Sequence, residues 1–320
     1  MRAAVSDTPG DAISDALSEA INEAVNAPAT AVPVSTENPI GIFDSGVGGL
    51  SVLRHIRAQL PDEHVLYVAD AGFAPYGDKP EQVVAARSLS IAHFLVARGA
   101  KALVVACNTA TVAAIHALRA HYPDMPIVGV EPGLKPAATA SRSGKVGVLA
   151  TYGTLHGAKF LALREQVSAA TGVQFLLQPC VGLVELIEQG ELGATAIEAM
   201  LTRYLAPLLN DGADTIVLGC THYPFVRAAI EAVILAAATE PVTLVDTGDA
   251  VARQLARLLA QAGMLRRTDA SAAAAATLEG FTSASATSLA SAFANLVGLA
   301  PRVQEISFPA TLAATFTAPA

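Results

Sequence analysis

Two short segments of this chain read as copies of one another, and each holds a cysteine. One is Val104-Val105-Ala106-Cys107-Asn108-Thr109-Ala110-Thr111, and the other is Ile216-Val217-Leu218-Gly219-Cys220-Thr221-His222-Tyr223-Pro224. An apolar run that ends in a thiol beside small polar donors is a buried strand end. There a thiolate can take a proton from a small polar molecule. A single cysteine in such a place is ordinarily a small buried hydrophobe. The chain has only 3 cysteines, and two of them at matching positions favour a site with a sulfur on each side. His222 follows Cys220 by two residues, which makes it the best candidate among 7 histidines to poise a thiol.

Other residues admit two readings. Asp44 and Ser45 open the turn Asp44-Ser45-Gly46-Val47-Gly48-Gly49. Asp44 there is either a helix cap or a carboxylate that activates a neighbouring thiol. The glycine cluster fits neither the GxGxxG nor the GxxxxGK phosphate-loop pattern. Glu188, in Leu183-Val184-Glu185-Leu186-Ile187-Glu188-Gln189-Gly190, reads by itself as the solvated end of a helix. Cys107, Cys220 and His222 could serve as zinc ligands, but no CxxC or HxxxH pair accompanies them. Lys101, Lys135 and Lys145 have no setting that suits a Schiff base. No metal and no cofactor is therefore anticipated.

These residues need elements to hold them. Strands are expected at Ile40–Phe43, His64–Ala69 and Ala102–Ala106, with helices over Leu50–Leu60, Pro80–Arg98 and Thr109–His121. Strands that alternate with helices of about a dozen residues are parallel βαβ units. The pattern then restarts, with strands at Val146–Ala150, Val173–Leu177 and Thr215–Leu218 and helices near 155–169, 182–189 and 194–209. A further strand after Val242, a helix over about Asp249–Ala262 and a short αβ stretch ending near Phe308 follow. The expected class is α/β: two pseudo-symmetric, doubly wound parallel-sheet domains arising by duplication, with the active site in the cleft between them. The boundaries implied are 40–133 plus 245–308 for the first domain and 134–244 for the second. In open parallel sheets ligands bind outside the carboxyl ends of the strands. Asp44-Ser45, Tyr76-Gly77, Cys107-Asn108-Thr109, Thr151 and Cys220-Thr221-His222 all follow expected strands. Helices that begin there aim backbone N–H groups at the cleft, which suits a carboxylate.

Composition excludes several classes. The chain has 320 residues, 52% of them hydrophobic, enough for two full cores. Its net charge of -8 argues against a nucleic-acid groove. No stretch of about 18 apolar residues free of charge suggests a membrane span, and no apolar signal segment opens the chain. With no disulfide framework, the reducing cytoplasm is the expected compartment. Residues 1–38 differ from the rest: Ile13, Leu17, Ile21 and Val25 recur every four residues in an Ala- and acid-rich setting. That is a flexible extension or an amphipathic helix. Ala272–Ala276 reads as loop or helix, and 309–320 as a loose tail.

Five ordered motifs together resemble the glutamate racemase family, within the cofactor-independent aspartate/glutamate racemases. They are Phe43-Asp44-Ser45-Gly46-Val47-Gly48-Gly49-Leu50-Ser51-Val52, Ala74-Pro75-Tyr76-Gly77, Ala106-Cys107-Asn108-Thr109-Ala110, Gly129-Val130 with Lys135-Pro136-Ala137, and Gly219-Cys220-Thr221-His222-Tyr223-Pro224. The resemblance spans about Ile40 to Phe308 and implies interconversion of L- and D-glutamate for peptidoglycan by two-cysteine proton transfer. On that basis Cys107 and Cys220 are the acid/base pair, with Asp44 and His222 assisting their respective thiols. Ser45, Tyr76, Gly77, Asn108, Thr109, Thr151 and Thr221 would bind the substrate, together with Asp44 and His222. Glu188 falls on a further acidic assistant, although Val181 and Glu185 stand where prolines are common in the family. The resemblance leaves a homodimer and a peptidoglycan-precursor activator open as partners. Competing readings are a racemase of aspartate or a related diacid, a non-catalytic glutamate sensor and a zinc hydrolase.

Overall fold

The computed structural model describes residues 35–190, 192, 195–266 and 275–308. Its frame is two all-parallel sheets. The first carries β1 (Ile40–Asp44), β2 (Val65–Ala69), β3 (Ala102–Val105), β4 (Ile127–Gly129), β9 (Leu278–Thr282) and β10 (Arg302–Glu305), in the order β10-β9-β2-β1-β3-β4. The second carries β5 (Lys145–Ala150), β6 (Gln174–Pro179), β7 (Thr215–Leu218) and β8 (Thr243–Val245), in the order β6-β5-β7-β8. The run β2-β1-β3-β4 repeats strand for strand as β6-β5-β7-β8, which is the pseudo-symmetry anticipated from the two cysteine segments. In register, Ile42 stands between Tyr67 and Val104, and Gly147 between Leu176 and Ile216.

The inner strands β1, β2, β3 and β7 are largely apolar and buried because a parallel sheet is covered on both faces. One face of the first sheet (Ile40, Ile42, Tyr67, Val104) packs on α1 (Leu50–Gln59) and α10 (Gly248–Gln261). The other (Phe43, Val68, Leu103, Val105) packs on α2 (Glu81–Ala97) and α3 (Asn108–His121). In the second unit α8 (Thr195–Asn210) and α9 (Arg227–Ala237) share one core, and α4 (Leu134–Ala140), α5 (Tyr152–His156) and α6 (Ala158–Thr171) share the other. After β8 the chain crosses back, and α10 buries Val251, Leu255 and Leu259 against the first sheet. Each such side chain contributes roughly 1.5–3 kcal/mol when withdrawn from water.

Four elements escaped the sequence pattern. β4 is only three residues long, Glu279-Gly280 interrupts the apolar run of β9, α4 contains a proline, and α9 follows the Cys220 segment where no helix was expected. The helix expected near 155–169 is two helices, because Gly157 is extended (φ -67°, ψ 138°) between α5 and α6. The Ile13–Val25 stripe, Ala272–Ala274 and 309–320 lie outside the described residues.

Candidate active site

Cys107 is delivered by β3 and caps α3. Its φ of -134° and ψ of 125° turn the side chain back, so the sulfur accepts the Ala110 N–H at 3.5 Å. The thiol reaches the Ser45 hydroxyl at 3.7 Å, and Ser45 reaches Asp44 Oδ1 at 3.4 Å. Asp44, the last residue of β1, is fully buried and accepts the Gly49 N–H at 2.6 Å. Burial raises the Asp44 pKa, while the charge of His222 and the Gly49 N–H pull the other way. Cys107 is pushed well above the ordinary thiol range, first by burial and then by the charge of Asp44. Ala110 N–H and Ser45 offset only part of that rise. Its surroundings thus favour the thiol form of Cys107, and Ser45 lies between that sulfur and Asp44.

Cys220 has a different setting. It follows β7 after Gly219, whose bare Cα lets the strand end pass the Leu149 carbonyl, 2.8 Å from where a Cβ would stand. The Cys220 sulfur lies 3.6 Å from His222 Nδ1, and His222 Nε2 lies 2.6 Å from Glu188 Oε1. Burial alone would lower the His222 pKa, but its bonds to the Cys220 sulfur and Glu188 outweigh that and raise it well above the usual imidazole value. Glu188 shows the mirror effect: burial works to raise it, yet His222 and the Val47 N–H bring it down. His222 is thus held between the Glu188 carboxylate and the Cys220 sulfur, and both partners favour its charged form. Glu188 is not a solvated helix end. It closes α7 (Leu183–Glu188), and its carboxylate turns inward onto His222.

The two sulfurs line one cleft from opposite units, with Ser45, His222 and Glu188. Asn108 joins them, 3% exposed, and neither atom of its side-chain amide has a partner among the described residues. An unpaired buried amide facing a cleft is a ready hydrogen-bonding group for a ligand. Thr109 and Thr151 bring their hydroxyls to 3.0 Å across the junction, with Thr154 3.2 Å from Thr109. Thr221 and Gly77 complete the wall. Tyr76 lines the cleft too, but its hydroxyl donates to Asp70 at 2.6 Å, so it offers the cleft its ring and backbone. Asp44 lies behind the wall, with Ser45 between it and the cleft.

Sequence reasoning missed the support beneath Tyr76. Asp70 follows β2 directly; it is fully buried and takes both Arg87 Nε at 2.7 Å and Arg87 Nη2 at 2.6 Å. Ser283, at the end of β9, donates to the same carboxylate at 2.6 Å. An acid at a strand end was a visible signal; its partners, far along the chain, were not. Cys180, Val184 and Glu185 also line the cleft and were not assigned there. Among the described residues, no three His, Cys, Asp or Glu side chains gather where they could hold a metal ion. No described helix is long and apolar enough to cross a membrane.

Comparisons agree with this geometry. The Asp/Glu/Hydantoin racemase family model matches residues 40–255. A glutamate racemase of Ectopseudomonas mendocina is 54% identical over 237 residues, covering 74% of this chain and 88% of the relative. One of Pseudomonas syringae pv. tomato is 56% identical over 227 residues, covering 71% and 80%. Among solved structures, a glutamate racemase isoform of Bacillus anthracis superposes with a TM-score of 0.76 at 29% identity over 86% of this chain and 99% of that one. Escherichia coli glutamate racemase, solved with L-glutamate and the activator UDP-MurNAc-ala, gives a TM-score of 0.70 at 35% identity over 84% and 97%.

Proposed function

The chain belongs to the Asp/Glu/Hydantoin racemase family, and on that premise we propose that it is a glutamate racemase working by two-base proton transfer between Cys107 and Cys220. The observation that carries this reading is the placement of the two sulfurs. They follow equivalent strands, β3 and β7, line one cleft from its two sides, and differ in their proton settings.

The chemistry follows from that difference. Cys220, beside a cationic His222, is the base for the enantiomer whose α-hydrogen faces it. Cys107, a thiol, delivers its proton to the opposite face. The reverse reaction exchanges the roles, with Asp44 receiving the Cys107 proton by way of Ser45. Each positioned acid or base contributes typically 10²–10⁴-fold in rate. The α-carbon of an amino acid is a poor acid, so the developing negative charge must also be held. Asn108, Thr109, Thr151 and Thr221, with the N-terminus of α3, supply fixed donors for the carboxylates in a cleft poor in water. No step draws on a cofactor. The product, D-glutamate, would serve peptidoglycan synthesis in the cytoplasm, and a UDP-muramyl precursor would act as activator, as it does for the Escherichia coli relative.

Circular dichroism of L-glutamate incubated with purified protein, without pyridoxal phosphate, nucleotide or metal, tests the proposal. Decay of the signal to zero supports it, and dialysis against chelator should leave the rate unchanged. Faster turnover of L-aspartate would move the assignment to that substrate. Binding of glutamate with no exchange of its α-hydrogen would make the protein a sensor.

A further inference from the structure

The two halves of the acid/base pair are built differently. Among the described residues, the hydrogen-bond partners of the Cys107 sulfur belong to its own unit: Ser45 follows β1 and bonds Asp44, which ends it, and Ala110 lies in the first turn of α3. The Cys220 side is not self-contained. Its support continues from His222 to Glu188, and the Glu188 oxygen that binds His222 also accepts the Val47 N–H at 2.8 Å, from the loop after β1. Ser51, 3% exposed on α1, donates to the Thr221 carbonyl at 2.8 Å, between Cys220 and His222. Gly46 and Gly48 of the same loop lie so close that a side chain at the first would strike the Glu188 carboxylate and at the second the His222 ring. That loop is firm, because the Tyr67 hydroxyl, buried beneath it, donates to the Gly46 carbonyl at 3.1 Å.

We infer that the first unit assembles the Cys220 side of the site, so that the reactivity of Cys220, unlike that of Cys107, depends on the two units being closed upon each other. The charged and titratable groups facing His222 are Asp44 from β1, Glu188 from α7 and Cys220 itself. Parting the units takes the Val47 N–H from Glu188 and the Ser51 hydroxyl from Thr221. Glu188 and the segment between Cys220 and His222 then lose the donors that fix them from the first unit, and the imidazole beside Cys220 is no longer held in place. Closure thus excludes water and arms the base in one movement, and an open cleft does not expose a reactive thiolate to oxidants. Val47, Ser51, Gly46 and Gly48 are positioning residues in this scheme. Their effect on turnover rests on the racemase reading, but their effect on Cys220 does not.

The test reads each cysteine separately. Full-length protein is alkylated with iodoacetamide across a pH series, and peptides holding Cys107 and Cys220 are quantified by mass spectrometry. Each rate at neutral pH is normalised to that cysteine's own alkaline plateau, which removes differences in access. In Gly46→Ala the normalised Cys220 rate should fall about tenfold, the change carried by one unit of pH, while that of Cys107 stays put. Ser51→Ala, which adds no bulk and touches neither thiol, should move Cys220 alone in the same direction by a smaller factor. Equal changes at both cysteines, or no change at Cys220 in either variant, would overturn the inference. Because the readout needs no turnover, a wild-type protein that fails to racemise glutamate would sink the proposed function and leave this result standing.

Discussion

Glu188 Oε1 lies 2.6 Å from His222 Nε2, a carboxylate–imidazole contact in which the histidine is 2% exposed. It joins the end of α7 to the segment after β7. Burial works against the charged ring, and Glu188, after the Cys220 sulfur, is one of the two partners that raise the His222 pKa.

Glu188→Gln keeps the shape and can still accept the Val47 N–H, but it removes the charge. kcat should fall by about 10–10². The His222 pKa is raised in the folded protein, so the active imidazolium is present at lower pH and lost as pH rises through that value. Without the carboxylate this loss comes at lower pH, and the alkaline limb of the rate profile should move down. L- and D-glutamate have equal free energy, so kcat/KM must drop by the same factor in both directions. An unmoved alkaline limb would mean that Glu188 only braces α7.

Cys107→Ala and Cys220→Ala should each lower racemisation by about 10²–10⁴ while far-UV circular dichroism stays native. Every turnover needs one sulfur as base and the other as acid. Near-normal turnover by either variant would defeat the two-base assignment.

In heavy water the product should carry deuterium at its α-carbon from the first turnover, because the delivered proton comes from a thiol in exchange with solvent. Mass analysis of D-glutamate at low conversion reads this directly. Mostly unlabelled product would point to transfer of the original hydrogen across the α-carbon.

Asp214 ties the turn before β5 to β7 by accepting from Ser141 Oγ at 2.7 Å and from the Arg142 and Ser143 N–H groups at 2.6 and 2.7 Å. What burial it has works upward, but these bonds bring its pKa from 3.8 down to about 2. A depressed carboxylate contributes stability that is complete above its unfolded value and lost as pH falls through the folded one. Asp214→Asn should therefore melt below wild type at neutral pH. The gap should close as pH falls from about 4 towards 2, and a gap independent of pH would show that the charge is not what matters.

A chain that begins at Ser35 should fold and racemise. The described anchor of the amino-terminal side starts there: Lys101 Nζ donates to the Thr36 carbonyl, and Arg266 pairs with Glu37 at 2.8 Å. Assays with and without a UDP-muramyl precursor then decide what residues 1–34 contribute. Activation lost on truncation assigns them a regulatory part, and activation retained leaves the effect to the body.

Much of this site was written in local sequence. A parallel strand covered on both faces must be a continuous apolar run, and its carboxyl end must open at the sheet edge where ligands bind. Val104-Val105-Ala106-Cys107 and Ile216-Val217-Leu218-Gly219-Cys220 therefore announced both the duplicated α/β frame and the two facing sulfurs. His222, two residues from Cys220, came with them. Tertiary structure decided which atoms meet around those sulfurs. Glu188 is 34 positions from His222 and 141 from Val47, and the donor at Val47 is a backbone N–H, which every residue but proline carries. Arg87 and Ser283 reach Asp70 from 17 and 213 positions away. Periodicity reports which face of an element is buried. It does not report which polar group arrives from another element, because that depends on how the two sheets and their helices pack.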